Sequence, residues 1–310
     1  MENILILVIA LALDLILGEP PRAIHPVVGM GKVIAFLAGR NVGQRPWVQF
    51  VYGAALSLFT VALFALPAYF LMVYLKNPNS IAYVVAGALL LKSAFSLRGL
   101  VRAATKIKEL LLSDELDKAR FELRALCGRD ARDLPKPLLV SGAVESVAEN
   151  ISDSFVAPLF YFLFLGVPGA IAYRVANTLD AMIGHRGKYE YMGKFAALLD
   201  TVLNLIPARL SALLIVLAAF LVRRNGRKSW RVTVSHHSRT ASSNAGWPMS
   251  AMAGALDVQL EKVGHYQLGE PGAPLVPETI DKSTKLIWMA SFVWSALCLS
   301  LGVIQVVYTT

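Results

Sequence analysis

The chain has 310 residues, of which 56% are hydrophobic and 16% charged, with a net charge of +9. A water-soluble domain carries about 25% charged residues, so the composition excludes an ordinary soluble globule and calls for burial in lipid. Basic and aromatic residues do not interleave as in a nucleic-acid groove, so no nucleic-acid partner is expected and the positive excess reads as loops facing anionic headgroups.

Two cysteines, Cys127 and Cys298, give neither a disulfide framework nor a zinc site. Met1-Glu2-Asn3 lacks the basic start of a signal peptide, so the first apolar run is expected to be retained.

In chain order, apolar runs cover residues 4–17, 48–75, 81–97, 155–173, 203–222 and 286–308. A spanning helix needs roughly 20 apolar residues; the second, fifth and sixth runs reach that length. The first and third are short, and Pro158, Gly166, Pro168 and Gly169 interrupt the fourth. The expected fold is all-α: a polytopic helical membrane protein, a single domain over 1–310, with re-entrant or broken helices. No Ser/Gly-rich or Pro-rich linker divides it. Polar connections at 98–154, 174–202 and 223–285 carry the motifs.

The connection after the third run begins with an amphipathic helix pair. Leu100, Ala104, Ile107 and Leu111 share one face, and Leu116, Ala119, Leu123 and Leu126 another, across a break at Ser113-Asp114. Pro135 and Pro137 end this pattern. Counting six spans places 18–47, 98–154 and 223–285 on the cytoplasmic side and 174–202 outside. The chemistry of 174–202 argues against that count. A hairpin turning at Pro168-Gly169, or motifs within the membrane facing a cavity from the side, would return it to a cavity open to the cytoplasm.

Five polar constellations stand out. Glu145, Glu149 and Asp153 fall at helical spacing, with Asn150 and Ser152 among them. Three carboxylates so close repel unless a cation sits between them, and hard oxygen donors suit Mg²⁺; a solvated acidic helix start is the bland alternative. Arg174, Asn177, Asp180 and Arg186 recur within apolar sequence, where such groups are costly and paired or functional. Asp200 and Asn204 share a face, and Arg209 after Pro207 needs an anionic partner, for which Asp200 is a structural candidate. Ser242-Ser243-Asn244-Ala245-Gly246-Trp247-Pro248 reads as a turn feeding a helix, an arrangement that suits an anion. Asp14, Gly18-Glu19-Pro20-Pro21 and His25-Pro26 make a rigid, charged exit from the first run. No P-loop, G-x-G-x-x-G, H-E-x-x-H or G-x-S-x-G occurs.

With these motifs in order, the chain resembles, nearly end to end, the adenosylcobinamide-phosphate synthase family of cobalamin biosynthesis. The resemblance rests on Gly18-Glu19-Pro20-Pro21 with His25-Pro26, Ala143-Val144-Glu145-Ser146-Val147-Ala148-Glu149-Asn150 and Val156-Ala157-Pro158-Leu159-Phe160. It continues through Asn177-Thr178-Leu179-Asp180, Pro207-Ala208-Arg209-Leu210 and Asn244-Ala245-Gly246-Trp247-Pro248. Ser154, His185, Thr201 and Ser243 depart from the family pattern, which has Gly, Tyr, Asp and Pro there; Thr201 weakens any role for paired acids beside Asp200.

The resemblance implies an acid–amine ligase in a prokaryotic plasma membrane, with its active site facing the cytoplasm. ATP and Mg²⁺ would activate the carboxylate of adenosylcobyric acid, and 1-amino-2-propanol or its O-phosphate would attack as the amine. On that reading Glu145, Glu149, Asp153, Asp180 and Asp200 are candidate catalytic acids, with the first three also metal ligands. His25, Asn150, Arg174, Asn177, Arg186, Asn204, Arg209, Asn244 and Trp247 are candidates for binding substrate, the arginines as bidentate clamps. Lipid is the expected surroundings, and self-association or contact with other corrinoid-pathway proteins is compatible. The competing class is a membrane transporter or a non-catalytic scaffold of the same pathway, but no inverted internal repeat is visible.

Overall fold

The computed structural model describes residues 1–21, 25–127, 131–185 and 187–309. The helices are α1 Glu2–Leu17, α2 Pro26–Ala38, α3 Pro46–Lys76, α4 Ser80–Ala94, α5 Leu97–Leu112, α6 Leu116–Cys127 and α7 Lys136–Ile151. A π-turn, Ser152–Val156, separates α7 from α8, Ala157–Ile183. Then follow α9 Lys194–Leu203, α10 Leu205–Leu221, α11 Gly226–His236, α12 Gly246–Leu256 and α13 Glu278–Thr309. An antiparallel hairpin of β1 Leu260–Lys262 and β2 Tyr266–Leu268 precedes α13.

The protein is a polytopic helical chain. Among the described residues Pro46–Lys76, Ser80–Leu112, Lys136–Ile183 and Glu278–Tyr308 are long and apolar enough to cross a membrane, and Lys194–Leu203 with Leu205–Leu221, bent by 47°, reach that length and apolarity only if taken together. The six apolar runs reduce to these because helices extend through polar sequence. α1 has 16 residues, about 24 Å at 1.5 Å each, short of a hydrocarbon core of about 30 Å.

The chain divides into two compact units, Met1–Ser96 with Ala157–Asn204 and Cys298–Thr310, and Leu97–Val156 with Leu205–Leu297.

In the first unit α1 packs on α4, and α8 packs against α2, α3, α4 and α9. α8 is not one straight helix: Gly166 breaks it at φ 66°, a left-handed conformation that glycine adopts without a Cβ penalty. Tyr161 and Tyr173, twelve positions apart, would lie about 18 Å apart along a straight helix, yet their rings stack with centroids 5.2 Å apart. The chain therefore doubles back, with the hinge at Gly166 rather than at Pro168-Gly169. A side chain at Gly169 would strike the Tyr161 carbonyl at 2.8 Å, so glycine there lets the two limbs close up.

In the second unit α5 and α6 pack on each other and on α7, and α12 packs on α7, α10 and α11. The expected apolar faces are the ones used: Leu100, Ala104, Ile107, Leu111, Ala119 and Leu123 are buried. The β-hairpin is fastened to its neighbours by polar contacts. Glu261 N donates to Ser141 Oγ on α7, and Gly269 N donates to His236 Nδ1 on α11 at 3.0 Å. Lys228 pairs with Asp257 and Glu270, and Arg231 with Glu270.

Burial, together with the neighbouring positive charge of Arg239, pushes the His236 imidazole below its ordinary range, against a smaller opposing pull from Glu270. A depressed folded value means stability is full above the unfolded pKa of about 6.5 and is lost as pH falls through the folded one. Acidification below pH 6.5 is expected to lower the protection of the Gly269 amide, its exchange taken relative to the intrinsic rate at each pH, in the native protein and to leave that protection unchanged in His236→Gln.

Residues 223–239 carry six basic residues and no acid, and such a run resists translocation. Ser235 is exposed on α11. A Ser235→Cys variant lacking the two native cysteines is expected to react with an impermeant maleimide only after the membrane is opened. Labelling in intact cells would invert the orientation.

Candidate functional site

The second unit contains a polar window in an otherwise sealed segment. From residue 139 to 156 every side chain is buried except Glu149, Asn150, Asp153 and Ser154, which are half-exposed. Spacings of one, four and five place these four on one stripe. The π-turn begins between the two pairs; such insertions re-aim side chains and occur frequently at functional sites. Asn150 Nδ2 donates to Ser146 O at 2.9 Å.

Glu145 sits one turn earlier with a different environment. It is 3% exposed and accepts from Ser141 Oγ and from Tyr266 OH, both at 2.7 Å. Its oxygens are engaged in pinning the hairpin to α7. Among the described residues no three His, Cys, Asp or Glu side chains lie close enough to hold a metal ion. An acidic pair at the window, Glu149 and Asp153, remains as the oxygen-donor set. This fits Mg²⁺, which takes one or two carboxylates and completes its shell with water and phosphate oxygens.

The π-turn packs against α10, and α12 against α10 and α7. α10 carries Arg209. Its Nη1 donates to Leu205 O at 2.6 Å and to Asn244 Oδ1 at 3.4 Å, and its guanidinium lies 4.9 Å from the centroid of the Trp247 ring. The anionic partner expected from Asp200 is thus replaced by an amide and an indole face, a cation–π arrangement. The 242–248 turn forms as expected: Ser242 Oγ accepts from the backbone N–H of Asn244 and Ala245. A Cβ at Gly246 would meet His237 O at 1.9 Å, so only glycine lets the turn close on that backbone.

The first unit holds two further polar groups. In one, Asp200 accepts from Asn177 Nδ2 at 3.3 Å and from Asn204 Nδ2 at 3.0 Å. Tyr173 OH donates to Asn204 Oδ1, Tyr161 OH donates to Leu203 O, and Arg174 Nη1 reaches Asn177 Oδ1. Both stacked tyrosines of the α8 hairpin thus bond to the end of α9. Asp180 lies half-exposed on the same helix as Asn177, with Gly184 so close that a Cβ there would overlap its Oδ1. Arg186 lies outside the described residues.

The other group surrounds His25. Its Nδ1 accepts from Val27 N and caps α2, which leaves Nε2 to donate to Glu19. Lys92, 8% exposed, reaches Asp14 Oδ1 and Glu19 Oε1 at 3.0 Å each. Burial raises the Glu19 carboxyl, but the neighbouring Ser96 hydroxyl, the His25 hydrogen bond and the Lys92 ammonium outweigh it and hold it below the usual range. Lys92 is the only charged residue in the run 81–97, a signal that marks it as paired or functional. Tyr266 gave no such signal, since its partner Glu145 is distant in sequence, and His237 gave none, since its contact with the Trp247 ring depends on the folded turn.

The CobD/Cbib protein family model matches residues 7–288. The chain belongs to that family. It is 53% identical over 304 residues to a cobalamin biosynthesis protein CobD of Dehalococcoides mccartyi, covering 98% of each chain. Probable cobalamin biosynthesis proteins CobD of Methanothermobacter thermautotrophicus and Pyrococcus furiosus are 40% and 41% identical, over 92% and 91% of this chain and 93% and 92% of theirs. No solved structure matches. As a CobD/Cbib protein the chain is assigned to cobalamin biosynthesis, and the resemblance read from its motifs stands.

Proposed function

We propose that the protein is an ATP-dependent ligase that joins the carboxylate of adenosylcobyric acid to 1-amino-2-propanol or its O-phosphate, giving adenosylcobinamide or its phosphate. The observation that carries this reading is the polar window, two acids with Asn150 and Ser154 opened by a π-turn in a fully buried stretch. A scaffold has no need for such an opening.

A carboxylate is a poor acyl donor until one oxygen becomes a leaving group. Phosphoryl transfer from ATP supplies that. The amine then forms the C–N bond, phosphate departs, and a carboxylate takes the released proton. Glu149 and Asp153 would hold Mg²⁺, which neutralises phosphate oxygens when bound. A carboxylate oxygen of the pair that is not bound to Mg²⁺ would receive the proton, while Glu145 acts through the hairpin it anchors. Within the first unit Asp180, Asp200, Asn177, Asn204 and Arg174 are proposed as polar groups that act on substrate, and within the second unit the Arg209 group as one that binds an anion. The reading also proposes that the site faces the cytoplasm, where ATP and corrinoid reside.

The test is reconstitution. Purified protein in detergent is supplied with ATP, Mg²⁺, adenosylcobyric acid and the amino-alcohol phosphate. An ATP-dependent corrinoid product heavier by the mass of the amine less water supports ligation; no product with either amine defeats it.

A further inference from the structure

We propose that Arg209, Trp247 and His237 form a cradle for a terminal phosphate group, and that His237, which the sequence did not single out, is part of it. This deepens the ligase reading and rests on it for the choice of substrate, though not for the binding itself.

Arg209 is held by one nitrogen only. Nη1 is committed to Leu205 O and Asn244 Oδ1, and Asn244 is itself 8% exposed, so the side chain is fixed. Among the described residues Nε and Nη2 have no partner, and together they form a planar two-donor fork matched to an oxyanion. The Trp247 indole lies under this guanidinium, and its Nε1 is buried with no hydrogen-bond partner among the described residues. An orphaned buried donor costs about 1–3 kcal/mol, so one persisting beside an unfilled arginine fork points to an acceptor supplied from outside.

His237 completes the group. Its ring lies 4.0 Å from the Trp247 ring, centroid to centroid. Its Nδ1 faces the carbonyls of Thr233 and Val234 at 3.1 Å, so Nδ1 carries the hydrogen and Nε2 is left for a ligand. Gly246 allows the His237 backbone to sit against the turn that presents Trp247.

The donor count selects the ligand. A planar carboxylate has two oxygens and would satisfy the fork alone. A tetrahedral phosphate has a third oxygen for the indole N–H and, when singly protonated, a P–O–H that donates to His237 Nε2. That chemistry occurs in an amino-alcohol phosphate and in the terminal phosphate of a nucleotide.

The experiment has two arms. Isothermal titration of the detergent-solubilised protein with inorganic phosphate is compared among wild type, Arg209→Lys, Trp247→Phe and His237→Asn. Trp247→Phe keeps an aromatic face for the guanidinium and removes the N–H. His237→Asn retains a donor where Nδ1 stood and removes Nε2. Each variant is expected to bind about tenfold more weakly, the loss of one charge-assisted bond. In the second arm, KM is measured for the amino-alcohol phosphate, the free amino-alcohol and ATP. A rise confined to the amino-alcohol phosphate identifies it as the source, and a rise confined to ATP identifies the nucleotide. Unchanged phosphate affinity in all three variants overturns the cradle. Phosphate binding that depends on these residues without any turnover would leave the cradle standing and remove the ligase reading.

Discussion

Glu149→Gln is expected to lower turnover by about 10²–10⁴-fold, the range for removing a group that handles a proton in the transition state, without disturbing insertion or folding. Glu149 is half-exposed at the polar window while its neighbours on α7 are sealed. The amide keeps the shape and removes the charge. Raising Mg²⁺ would not restore the rate, because the lost function is a carboxylate. Glu145→Gln is the contrasting control. Glu145 is buried and accepts from Ser141 and Tyr266, so the amide leaves one donor facing an N–H₂ group and costs about 1–3 kcal/mol of stability. Steady-state rates and thermal unfolding of both variants decide the matter. Full activity in Glu149→Gln would empty the window of its role.

Lys92→Met is expected to destabilise the protein by about 3–5 kcal/mol, because it removes one partner of a buried ion pair and strands the other. Asp14 is 1% exposed, and its carboxylate lies 3.0 Å from the Lys92 ammonium. Glu19 loses the same cation, which leaves two negative groups between α1 and α4. Replacing both ends, as Asp14→Asn with Lys92→Met, removes the stranded charge and is expected to recover most of the loss. Thermal unfolding in one detergent, followed by far-ultraviolet circular dichroism, gives the comparison. Equal midpoints for wild type and Lys92→Met would show that the pair contributes no stability.

The helical membrane fold was legible because lipid imposes length and apolarity on every span, and both are written in sequence. The apolar faces of α5 and α6 followed from 3.6-residue spacing, and the 242–248 turn from Ser, Asn, Gly and Pro. The reversal in α8 was legible as a tendency, but its hinge lies at Gly166, since Pro168 fits the first turn of the returning limb. What sequence did not convey was partnership across distance. Glu145 looked like a third metal ligand because its spacing to Glu149 is helical; a tyrosine 121 positions later occupies it instead. Arg209 needed a partner, and nothing local said it would be Asn244 with an indole. His237 becomes significant only when the turn carrying Trp247 is placed beside it, and Lys92, marked by its lone charge in an apolar run, gains its partners Asp14 and Glu19 only from the fold.

The most direct test of the account is the product of the purified wild-type protein. Incubated with adenosylcobyric acid, 1-amino-2-propanol O-phosphate, Mg²⁺ and ATP, it is expected to give a corrinoid amide visible by mass, with ATP consumed in step and no product when ATP is omitted. Corrinoid recovered unchanged from correctly folded protein, with either amine and over a full range of Mg²⁺, would contradict the assignment of ligation to this chain.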